Sequence, residues 1–184
     1  EMILNITIVS LAQDFVGVNN INYLVPEGQF GTRILGGKDS ASERYIFTKL
    51  NTLTRMIFPE ADDKVLKYLS DDGTPVEPIH YVPILPMILI NGSKGIGTGF
   101  STDIMSYHPI QIIQYLKNKL KSKENEKDII QPFYQGFQGS IEKVEPQKYL
   151  IKGCYEILND KKVRITELPI GVWTDDFKQY LEGL

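Results

Sequence analysis

The stretch Gly36-Gly37-Lys38-Asp39-Ser40-Ala41-Ser42-Glu43-Arg44-Tyr45-Ile46-Phe47-Thr48 constrains the fold more than any other. Its paired glycines end what reads as a β-ribbon. Ser40 and Glu43 then fit the S-x-x-E capping box, which starts a helix by satisfying two backbone donors. Ile46, Leu50, Leu53 and Ile57 recur at helical spacing and predict one buried helix face. Tyr45 falls in the first turns beside that face, with Arg44, Thr48, Asn51 and Arg55 on another side. A phenol of ordinary pKa, about 10, is a weak nucleophile at neutral pH. Cationic neighbours and a helix N-terminus favour the phenolate, so this placement suits a nucleophilic tyrosine. The alternative is a packing tyrosine with a solvated hydroxyl.

Charge is unevenly spread. The whole chain carries −3, which argues against a surface basic all over. Between Gly31 and Arg55, however, Arg33, Lys38, Arg44, Lys49 and Arg55 face only Asp39 and Glu43, a local balance of +3. Such a patch is what phosphate contacts need. From Pro59 to Glu77 the sign reverses, with Glu60, Asp62, Asp63, Asp71, Asp72 and Glu77 against Lys64 and Lys67. That face is expected to be solvated and turned away from any phosphate-bearing partner. Cys154 is the only cysteine, so no intrachain disulfide or multi-cysteine zinc site can form, and an intracellular protein is expected. The most apolar run, Val82 to Ile90, contains Pro83 and Pro86 and falls far short of the ~20 residues of a membrane span. No signal peptide is visible, and the chain opens in mid-pattern at Glu1, as a piece of something longer does.

In chain order, Leu4, Ile8, Leu11 and Phe15 predict a helix over 1–16, stopped by Gly17 and Asn19-Asn20. Ile21 to Val25 and Gln29 to Leu35 read as a ribbon turning at Pro26-Glu27-Gly28. A helix followed by a ribbon is the pattern of the recognition half of a winged helix. Met87 to Ile90 reads as a buried strand after extended prolines. It leads into Asn91-Gly92-Ser93-Lys94-Gly95-Ile96-Gly97-Thr98-Gly99, whose glycines match neither a P-loop nor G-x-G-x-x-G. Ile96, apolar on an almost bare strip of backbone, either caps a small core or serves as a wedge that opens a base step. Pro109 to Leu120 is an amphipathic helix, and 117–128 reads as a charged surface connection. Phe133 to Val144, Tyr149 to Ile157 and Lys162 to Glu167 suggest an antiparallel sheet. His80 and His108 sit in no ligand-spaced motif.

Several of these segments, in order, resemble the eukaryotic-type type IIA DNA topoisomerases. They are Gln13-x-Phe15-Val16-Gly17-x-Asn19-Asn20, Gly28-Gln29-Phe30-Gly31-Thr32-Arg33, Gly36 to Ser42, Arg44-Tyr45-Ile46-Phe47-Thr48, the Asn91 to Gly99 strip, Phe137 to Glu142, Ile165 to Pro169 and Trp173-Thr174. The resemblance implies an α+β fold: the C-terminal part of a winged-helix domain over 1–58, then much of a mixed α/β tower domain over 59–184. It implies that Tyr45 attacks a DNA phosphodiester and that Arg44 stabilises the transition state. It implies that Ile96 intercalates into bent DNA. Lys38, Ser40, Ser42 and Asn91 are candidates for phosphate or base-edge contacts, with loop capping the alternative for each serine. Two departures stand out: Glu43, where proline is common, and Lys94, where an acidic residue is common. Glu43 is given no role.

The resemblance further implies double-stranded DNA as partner, a homodimer in the complete enzyme, and no membrane. It implies Mg2+ and ATP in the complete enzyme but no cofactor in these residues, which hold neither a D-x-D cluster nor an ATPase motif. The piece alone is expected to be inactive, and the enzyme to be nuclear, or cytoplasmic if viral. The rival expectation is a non-catalytic DNA-binding or architectural module.

Overall fold

The structure, a computed structural model, describes residues 2–121 and 130–184. Part of the expected connection over 117–128 lies outside them. The chain begins with helix α1 (Met2–Ala12), in the expected place but shorter. It is apolar on all sides rather than striped. Its one buried residue is Ala12, while Met2, Ile3, Leu4 and Ile6 lie open.

The first ribbon departs furthest from the sequence pattern. Strand β1 (Leu24–Glu27) does not pair with Gln29 to Leu35, which is irregular and turns from Arg33 on, but with β2 (Phe47–Leu50), far along the chain. Residues expected to continue a helix from Ser40 are therefore extended. Only a single 3-10 turn, Glu43–Tyr45, survives, and its N-cap is Ser42, with no side-chain capping bond. The Ser40–Glu43 capping box does not form: the turn starts after Ser42, and the Glu43 carboxylate accepts from Asn5 Nδ2. The aromatic and β-branched run Phe47-Thr48 then meets β1, with the Thr48 hydroxyl donating to the Val25 carbonyl at 2.8 Å. Pairing with a distant strand outweighs the local i, i+4 pattern. A helix resumes as α2 (Thr52–Ile57), capped by Asn51, whose Oδ1 accepts the Leu53 amide at 3.0 Å.

Beyond it lie the β3–β4 ribbon (Tyr68–Asp71, Thr74–Pro78), a short helix α3 (Met87–Ile90), the β5–β6 ribbon (Ser93–Gly97, Phe100–Ile104) and α4 (Pro109–Leu120). Met87 to Ile90 is thus one helical turn, not a strand: the Asn91 amide reaches the Met87 carbonyl at 2.9 Å. A four-residue apolar run carries no period by which to tell the two apart. Helix α4 has the expected bounds, with Pro109 opening it and His108 Nδ1 accepting the Ile110 amide. The expected C-terminal sheet resolves into two separate antiparallel ribbons, β7–β8 (Ser140–Glu145, Lys148–Lys152) and β9–β10 (Cys154–Asn159, Lys162–Glu167), before α5 (Thr174–Glu182). Residues 133–139 are not strand.

The architecture is one of helices interspersed with small antiparallel sheets. The core packs Ile57 of α2 against Met87 and Ile90 of α3 and Ile112 of α4, with Tyr23 and Phe58 alongside. It joins residues from both sides of position 58. Asn20 braces it with polar bonds. Its Nδ2 donates to the carbonyls of Ile90, Tyr107 and Phe133 at 2.8, 3.2 and 3.0 Å, and its Oδ1 accepts the Gln135 amide at 2.8 Å. No helix of the described residues is long and apolar enough to cross a membrane.

Candidate nucleic-acid interface

Tyr45 closes the 3-10 turn, its amide donating to the Ser42 carbonyl at 2.9 Å. The residue is 71% exposed. The Arg44 guanidinium lies over its ring, 5.6 Å from the centroid, and Arg44 Nε donates to Ser42 Oγ at 3.3 Å. Tyr23, Tyr107 and Tyr134 are partly enclosed. Burial pushes the pKa of Tyr23, Tyr107 and Tyr134 above the ordinary tyrosine value. Tyr45 is the phenol set out in the open beside a cation.

The loop before the turn is held tightly. Thr32 donates its amide and its hydroxyl to the Asp39 carboxylate at 2.8 and 2.6 Å. The Thr32 hydroxyl first, and its amide second, hold the Asp39 carboxyl below the usual carboxylate range. Gly36 and Gly37 have φ of +62° and +86°, and a Cβ at either would come within 2.4 Å of Trp173 or of the Gln13 amide respectively. Glycine is required at both. The Arg33 guanidinium is paired with the nearly buried Glu167, which also accepts the Gln138 and Leu168 amides at 2.9 Å each. Arg33 therefore ties the loop to β10 and is spent as a cation. Lys49 pairs with Glu27, and Arg55 with Asp63.

The sequence-derived candidates fall into three groups. Ser42, Arg44 and Tyr45 are brought together and exposed. Lys38, exposed, and Ser40, half-buried, line a cleft of about 470 Å³ between α1 and the loop, with Asn5, Gln13 and Glu43. Asn91 and Ile96 lie elsewhere. The Asn91 amide is engaged at both ends with the Ile21 backbone, at 3.0 and 2.9 Å. Ile96 stands near the tip of the β5–β6 ribbon, 96% exposed; Phe100, paired with Gly97, is 84% exposed at the same tip. Ile96 does not cap a core. Lys94 pairs with Asp103 at 3.4 Å across the same ribbon. Among the described residues, no group of three or more His, Cys, Asp or Glu side chains is gathered to hold a metal.

Sequence reasoning missed the Asn5–Glu43 bond, although a carboxylate in a cationic patch signalled it. It also gave no role to Glu167, although this lies within the Ile165 to Pro169 motif, or to Phe100.

The chain superposes on the Plasmodium falciparum topoisomerase II DNA-binding, cleavage and re-ligation domain with a TM-score of 0.93 and 46% identity, covering all of this chain and 25% of that one. The chain belongs to the DNA gyrase/topoisomerase IV A-subunit family, whose model matches residues 1–184. It is 49% identical over 188 residues to DNA topoisomerase 2 of Arabidopsis thaliana, spanning 100% of this chain and 13% of that protein. It is 49% identical over 179 residues to human DNA topoisomerase 2-alpha, spanning 97% and 12%. The chain thus covers about an eighth of the length of these curated relatives.

Proposed function

We propose that the chain is part of the DNA breakage–reunion core of an ATP-dependent type IIA topoisomerase, with Tyr45 as its nucleophile. The observation that carries the reading is the exposed Tyr45 phenol under the Arg44 guanidinium, in a chain matched by the family along its whole length. The Tyr45 oxygen attacks a backbone phosphorus. A tyrosine–phosphate bond forms at the 5′ side of the break, the bond to the 3′ oxygen of the sugar breaks, and the phenolic proton leaves as that oxygen gains one. Arg44 offsets charge on the phosphoryl oxygens. Two copies cut opposite strands, a second duplex passes, and the reverse attack reseals. The ester conserves the energy of the broken bond, so resealing needs no nucleotide.

Lys38, Ser40 and Ser42 face the phosphates, and Ile96 enters a base step and kinks the duplex. The doubly engaged Asn91 amide instead anchors the start of the wedge ribbon. On this reading residues 1–58 belong to a winged helix and 59–184 to a tower. The described residues do not fit the Mg2+ that the resemblance implies, nor do they carry an ATPase motif. Both groups belong to other parts of the complete enzyme, and the piece alone is inactive.

The test is covalent capture. Full-length enzyme trapped on duplex DNA by denaturant yields a nucleotide-bearing peptide containing Tyr45, and Tyr45→Phe abolishes it while DNA binding persists. DNA binding with no adduct in the unaltered enzyme would instead mark a non-catalytic architectural module.

A further inference from the structure

Glu43 opens the turn that ends on Tyr45, and its carboxylate stands one residue from Arg44 inside the cationic patch. It is specifically bound. Asn5 of α1 donates its Nδ2–H to Glu43 Oε1 at 3.0 Å, across 38 residues of chain. Glu43's own backbone amide, followed by the Asn5 side chain, holds the carboxyl below its usual range. On this side the backbone is otherwise held at Ala41, whose amide donates to the Gln29 carbonyl at 2.9 Å. None of the turn's three residues is buried, and Ser42 makes no side-chain cap. The bond from the Ile46 amide to the Glu43 carbonyl is long, at 3.5 Å. A single 3-10 turn of this kind is weakly determined by its own backbone. Downstream, the pairing of β2 with β1 holds the chain. Upstream, among the described residues, the Asn5–Glu43 bond is the side-chain bond that ties the turn to another element.

We propose that Glu43 is a positioning residue: held by Asn5, its carboxylate props the 43–45 turn against α1 and so aims the Arg44–Tyr45 pair at the phosphorus. The inference rests on Tyr45 being the nucleophile. It sets geometry against charge in one side chain. The hydrogen bond favours attack, while the negative charge beside the DNA phosphates weakens binding. Gln keeps an acceptor for Asn5 and loses the charge; Ala loses both.

The test uses full-length enzyme on duplex DNA, with the single-turnover rate of covalent attachment at saturating DNA read separately from DNA affinity. Glu43→Ala slows attachment about fivefold, the scale of one partly exposed hydrogen bond to a charged group. Asn5→Ala slows it equally, and the double variant is no slower than either single one. Glu43→Gln restores most of the rate. Both Glu43 variants bind DNA more tightly, by roughly twofold at low salt, and Asn5→Ala does not. The proposal is overturned if Glu43→Ala attaches at the unaltered rate, if Gln fails to restore it, or if the two single effects add. An unaltered enzyme that forms no Tyr45 adduct overturns the nucleophile reading, and this inference with it. A normal adduct with a silent Glu43→Ala overturns this inference alone.

Discussion

The turn that carries Tyr45 and the junction braced by Asn20 are both organised by side-chain hydrogen bonds, but of opposite kinds. Asn20 spends its amide on three carbonyls and a backbone amide from distant segments, beside the core of Ile57, Met87, Ile90 and Ile112. Around Tyr45 the bonds are exposed, and the ring and guanidinium stay open to solvent. Removing a half-buried polar group leaves enclosed partners such as the Ile90 carbonyl short of water, whereas an exposed group's partners are simply rehydrated. On the proposed reading, stability is concentrated at the junction and reactivity at the turn. A reactive group has to stay uncommitted to the fold in order to reach a substrate.

Replacing one residue on each side tests this division. Arg44→Ala should slow covalent attachment by about a hundred- to a thousandfold, the usual loss of one preorganised donor to a transition-state oxyanion. The melting temperature should not move, and a comparable drop in stability would break the contrast. Asn20→Ala should do the reverse. Stranding three part-buried acceptors costs roughly 1–3 kcal/mol of stability, read by denaturant unfolding. The attachment rate per folded molecule at low temperature should stay normal.

Ile96 sharpens the comparison, being a second exposed group on a part of the fold that is not the turn. Ile96→Ala should leave stability alone, because the side chain is already solvated. It should weaken binding to kinkable DNA by about tenfold and reduce bending in a fluorescence energy-transfer assay. Unchanged bending would remove the wedge. The smallest effect concerns Asp39, whose folded pKa is depressed. Its contribution is present above the unfolded value, about 3.9, and is lost as pH falls through the folded one. Hydrogen-exchange protection of the Thr32 amide should fall as the pH drops below about 4. In Asp39→Asn it should be low and flat with pH.

The resemblance to one family was legible because its motifs lie in short contiguous runs, and the family match covers the same residues. Helix α4 was legible because its amphipathic pattern extends over 12 residues. The turn was misread because capping and periodicity are local signals, while β1 lies about twenty residues upstream of β2. The same limit hid Glu167, whose partners Arg33 and Gln138 are far from it in sequence.

The sequence by itself determined which side chains are available for chemistry: a tyrosine preceded by an arginine, a cationic stretch around them, and an isoleucine on bare backbone. Only the tertiary structure decided how they are presented, on a 3-10 turn between a strand and a prop from α1 rather than at a helix start. Residue identity is encoded position by position, but backbone conformation in so short a segment is settled by whichever partner binds it. Here the partners are Val25 on β1 and Asn5 on α1.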